Sequence, residues 1–177
     1  SVSEEIVKRF LKNKKMLREY DITRFGSIDN SFTIACGLYL SNKDLFYKSF
    51  FVLDGDKYIT NDDKLEQINK RYSGTECGIQ ENKQEILSHF VQYKSEDVNG
   101  KLLSPEHFIH TKILGSRDEE SETYQRLLEI RGVHDNHQYL PLDSDYPHSV
   151  IIEDFSKTPA WDEYTIELCK ISESTMK

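Results

Sequence analysis

With 177 residues, 37% of them apolar and 11% aromatic, the chain is long enough to enclose a core, and global disorder is excluded. Its 31 Asp and Glu against 23 Lys and Arg leave a formal net charge of −8, which argues against a phosphate backbone as principal partner. Eight Gly and four Pro rule out collagen-like and linker-rich chains, and three Cys are too few for a disulfide framework or a four-thiolate zinc site.

Taken in chain order, residues 1–20 predict an amphipathic helix. Ile6, Phe10 and Leu17 recur at helical spacing, Ser3 stands where an N-cap would, and Glu4 and Glu5 suit the first turn. The cationic run Lys8, Arg9, Lys12, Lys14, Lys15 and Arg18 reads as the solvated face of that helix.

Residues 31–60 predict a β-meander. Phe32, Ile34, Cys36, Leu38 and Leu40 alternate onto one face, Ser41 to Asp44 supply a turn, and Leu45 to Leu53 follow as a second, central strand. Asp54-Gly55-Asp56 turns the chain again into Lys57 to Thr60.

Residues 62–132 predict helices. Asp63 is a candidate cap for a helix striped by Leu65, Ile68 and Tyr72 and stopped at Gly74. Asn82 and Glu85 repeat the capping logic ahead of Ile86, Leu87, Phe90 and Val91. Asn99-Gly100 marks a turn. Ser104-Pro105 opens a helix to about Leu114, and Ser121 to Arg131 forms the next one, closed by Gly132. Beyond that point, residues 149–171 predict two strands, Ser149–Phe155 and Glu163–Ile171, the latter with Tyr164, Ile166 and Leu168 alternating. Helices set apart from strands imply a single α+β domain over 1–177. Its sheet would be mostly antiparallel, with an N-terminal meander plus C-terminal strands, and the helical middle would pack on it. No βαβ alternation is visible, which disfavours a doubly wound nucleotide fold.

The chemistry concentrates in two histidine doublets, His107 with His110 and His134 with His137. A short loop between the 105–114 and 121–131 helices makes them antiparallel neighbours, so the two doublets converge, with Glu106 and Asp135 close in sequence. Three imidazoles and a carboxylate suit a divalent metal with an open position for water, the chemistry of a metal-dependent hydrolase. The spacing lacks the i, i+4 register of H-E-x-x-H, so the competing expectation is half-exposed polar side chains that cap carbonyls of the second helix.

No nucleophile elbow, phosphate loop or dinucleotide fingerprint occurs. Cys36 lies in an apolar stretch and Cys77 beside Glu76, where neither is activated. The carboxylate clusters Asp62-Asp63, Asp118-Glu119-Glu120, Asp143 with Asp145, and Glu153-Asp154 lack the calcium-loop register and read as solvated. The leading expectation is therefore a non-enzymatic acidic interaction domain: a complex subunit, an inhibitor, or an immunity-type neutraliser of a protein partner with a basic surface. The metal-dependent hydrolase is the alternative. The odd cysteine count suits a cytoplasmic, reducing compartment. No run approaches the ~20 apolar residues of a membrane helix.

Overall fold

The computed structural model describes residues 1–141 and 145–174. Its elements are α1 (Val2–Asn13), α2 (Ile28–Ser41), α3 (Lys43–Tyr47), β1 (Phe51–Leu53), α4 (Asn61–Asn69), α5 (Ile79–Leu87), β2 (Phe90–Gln92), α6 (Pro105–Ser116), α7 (Glu122–Leu128), α8 (His148–Ser156), α9 (Ala160–Tyr164) and α10 (Cys169–Ser174). The protein is mostly helical, at 57%, and the mostly antiparallel α+β sheet expected from sequence is overturned. Among the described residues the two short strands pair in parallel, Phe51 opposite Phe90 and Leu53 opposite Gln92. An isolated antiparallel bridge joins Glu96 to Leu102.

The physical reason lies in α2. The expected strand face needed Ile34 and Leu40 inside, yet these are 41% and 61% exposed. What α2 buries is Phe32, Ala35, Cys36 and Tyr39, spaced i, i+3, i+4 and i+7. An almost uncharged stretch satisfies both periods at once, and packing selected the helical one. Downstream, Phe46 is buried from α3, so only Phe51–Leu53 of the expected central strand is extended. Tyr58 has φ +52, which no strand tolerates. The two C-terminal strands are helical for the same reason as α2. Ile151, Ile152 and Phe155 are buried at i, i+1 and i+4 from α8, and Tyr164, Leu168 and Ile171 recur at i, i+4 and i+7.

The chain divides into two compact units, one made of 1–22 with 94–177 and the other of 23–93. In the 23–93 unit, β1 passes through α4 and α5 to reach β2, a helical crossover of the kind parallel pairing requires. Phe90 stacks on Phe32 at 4.7 Å and on Phe51 at 5.2 Å, so the sheet seats directly on α2. Buried Gln92 donates from Nε2 to the carbonyls of Asp54 and Lys57, both at 2.7 Å, and so fastens the turn after β1. Helix α4 begins with a capping box in which Thr60 Oγ1 accepts from the Asp63 amide and the Asp63 carboxylate accepts from the Thr60 amide. Asp63 is thus the third helical residue, with the cap three positions earlier than the sequence pattern indicated.

In the other unit, α1 packs along α8 and α6 packs against α1, α7 and α8. The core comprises Ile6, Phe10 and Leu11 with Phe108, Ile109, Leu127, Ile152 and Phe155. Phe155 sits edge-on to Phe108, Trp161 and Tyr164. The Asn99-Gly100 turn forms as expected, with Asp97 Oδ1 accepting from the Asn99 and Lys101 amides at 2.8 Å each.

Candidate functional site

Ser104 accepts from the His107 amide and Pro105 occupies the first helical position, so α6 starts where the sequence indicated. This start fixes Glu106, His107 and His110 on the first two turns. Asp135 and Gln138 form a second capping box around the 3₁₀ turn Asn136–Tyr139, which packs on α6. The turn delivers Tyr139, and Tyr139 gathers the histidines. His107 lies flat on its ring, with centroids 3.9 Å apart and planes 4° apart, and His110 meets it edge-on at 5.3 Å.

Ring nitrogens of His110 and His137 have partners of their own. His110 Nε2 donates to the Leu127 carbonyl at the end of α7, 3.1 Å away, which matches the carbonyl-capping expectation. His137 Nδ1 lies 3.1 Å from Oε1 of Glu106, a carboxylate that is 10% exposed against an imidazole that is 75% exposed. His134 takes part through its backbone, donating its amide to Gln138 Oε1 at 2.8 Å. The structure therefore brings His107 and His110 together around Tyr139, sets His137 against Glu106, and leaves the exposed His134 to the turn. Among the described residues, no group of three or more His, Cys, Asp and Glu side chains lies close enough to hold a metal ion.

Burial holds the His107 imidazole below its ordinary pKa of 6.5, helped by the positive charges of Lys101 and His110 and opposed by Asp97. His110 is lowered as well, chiefly by burial, with its bond to the Leu127 carbonyl opposing. Asp97 is itself held below the carboxylate range, first by the Lys101 amide, with the Asn99 amide assisting. One imidazole stacked on a phenol and a second set edge-on to it, both neutral at neutral pH, are a packing arrangement.

Other polar clusters are built from different side chains. In the 23–93 unit, the Tyr39 hydroxyl donates to Asn82 Oδ1 and Glu85 Oε2, both at 2.9 Å, tying α2 to α5. Burial and the Glu85 carboxylate push the Tyr39 phenol well above its ordinary range, so it stays protonated. Cys36 is buried, and burial raises its thiol pKa, which removes it as a nucleophile. In the other unit, the buried Thr123 bonds both Tyr146 and Asp154. Glu153 faces Arg9 at 3.4 Å, so the Glu153-Asp154 pair is engaged structurally. Asp118, Glu119 and Glu120 are exposed between α6 and α7, whereas Asp143 lies outside the described residues.

No protein-family model, curated protein or solved structure matches the chain. Tyr139, the ring on which the histidine face is built, has no signal in the sequence beyond its proximity to the second doublet.

Proposed function

We propose that the protein is an acidic interaction module whose 94–177 segment engages a protein partner with a basic surface. The distribution of charge carries this reading. Residues 1–93 hold 14 Lys and Arg and 14 Asp and Glu, whereas residues 94–177 hold 9 and 17, so the whole excess of eight negative charges falls in the later segment. Asp118, Glu119, Glu120, Glu129, Asp162 and Glu163 stand exposed there. Glu122 is satisfied within α7 by Arg126 at 2.9 Å, but no ion pair involves the 118–120 carboxylates among the described residues. Such a surface accelerates and selects the approach of a cationic partner, and salt screens it over about 8–10 Å. All three cysteines are free thiols, in keeping with a reducing, cytoplasmic setting.

Affinity capture at low and high salt tests the reading, with the Asp118→Asn, Glu119→Gln, Glu120→Gln triple variant as control. Basic proteins should be enriched at low salt, lost at high salt, and depleted by the triple variant. Recovery of no macromolecule at low salt, or recovery indifferent to both salt and the variant, would overturn it. Among the described residues no helix is long and apolar enough to cross a membrane, so vesicle binding is a separate control.

A further inference from the structure

Helix α2 leaves an uncharged face uncovered. From Asn30 to Asn42, thirteen consecutive residues carry no charge in a chain that is 31% charged. The outward positions are Thr33, Ile34, Gly37, Leu40 and Ser41, with Ile34 and Leu40 contributing most of the exposed apolar surface. A helix apolar on all sides is ordinarily enclosed on all sides. At the rim, Arg71 Nε donates to Thr33 Oγ1 at 3.0 Å and its guanidinium lies 5.8 Å over the Phe32 ring, so that cation is already engaged.

Three observations identify what covers this face. The first is order. Read outward from Gly37, the exposed residues repeat in kind on each side: Ile34 and Leu40 at three positions, Thr33 and Ser41 at four. A surface with that symmetry is complementary to itself when turned about a two-fold axis, the requirement of an isologous contact. The second is the glycine. A Cβ on Gly37 would meet nothing within 4 Å, so packing inside the chain does not call for glycine there. Its effect is to let another backbone approach closely, at the cost of helix propensity. The third is charge. Two copies at −8 repel wherever their carboxylates face one another, and this face brings none to the contact. A basic partner, conversely, finds no carboxylate on it.

We propose that the exposed face of α2 docks a second copy of this chain, the two helices crossing antiparallel at Gly37. Ile34 of each copy packs against Leu40 of the other, and Thr33 lies opposite Ser41. Four side chains around a glycine fall well short of the ~800 Å² per partner buried in a stable interface, so the dimer is weak and reversible. This surface is distinct from the acidic segment, and neither proposal depends on the other.

Sedimentation equilibrium from micromolar to millimolar concentration is the test, on the wild-type chain, Gly37→Gln and Leu40→Glu. The wild-type mass should rise with concentration toward that of two chains. Gly37→Gln fills the point of closest approach with a neutral side chain that has room in the single chain, so it should weaken association about tenfold or more without lowering the melting temperature. Leu40→Glu places like charges in the contact and should abolish association. A wild-type chain that stays monomeric throughout leaves the face to another occupant and overturns the proposal. Association unchanged in both variants does the same.

Discussion

His107 and His110 convert burial into a pH dependence. Both imidazoles have folded-state pKa values lowered from 6.5, so the unfolded chain takes up protons on them first as the pH falls. Their contribution to stability is therefore fully present above 6.5 and is lost as pH falls through that value toward the folded-state pKa. The expected outcome is a fall in unfolding free energy from neutral into mildly acidic solution. His107→Phe keeps the ring stacked on Tyr139 and should flatten that fall, as should His110→Gln. Denaturant titrations at a series of pH values decide it, and a wild-type curve flat across the range would refute the assignment. At this scale the histidine doublets and the Ser104 cap were legible as local patterns. Tyr139 was not, because it reaches His107 only through the packing of a 3₁₀ turn that has no periodicity of its own.

Elements show where local pattern and packing disagree. In α2, helical packing predicts a sharp asymmetry between neighbouring apolar residues. Phe32→Ala, at a fully buried ring stacked on Phe90, should cost about 3–5 kcal/mol. Ile34→Ala, on the exposed face, should stay within about 0.5 kcal/mol in the single chain. The strand pattern would have put both side chains on one buried face and made them comparably costly. Thr60→Ala, which breaks the capping box of α4, should cost about 1 kcal/mol by chemical denaturation. Cap residues beside polar turns were readable in the sequence to within a few positions, since each needs only its own neighbours. The β1–β2 pair was not, because its strands are three residues long and Phe90 and Val91 sit beside a helical stripe with which they merge.

Over the whole molecule, charge sets the behaviour in solution. With the net −8 carried by residues 94–177, self-repulsion works against that segment's compactness, and salt relieves it. The melting temperature at neutral pH should therefore rise as sodium chloride is added, read by calorimetry, and a fall would show that attractive ion pairs dominate instead. The long crossing distances in sequence also matter at this scale. Residues 1–22 join 94–177 in one unit, with 23–93 forming another between them, an arrangement that no local signal announces.

Composition by itself determined that the chain folds around an aromatic-rich core, carries an acidic surface and lacks the cysteine spacing of a thiolate metal site. Capping residues by themselves placed the starts of α6 and α7, and set the caps of α4 and α5 at Asp63 and Asn82 rather than at Thr60 and Gly78. Tertiary structure alone decided that residues 32–40 are helical, that the two short strands run parallel, and that His107 and His110 meet Tyr139 while His137 meets Glu106. The reason is range. Charge, caps and turns depend on a few neighbouring residues, whereas the choice between periods of 2 and 3.6 in an uncharged segment depends on which face finds partners, and those partners lie dozens of residues away.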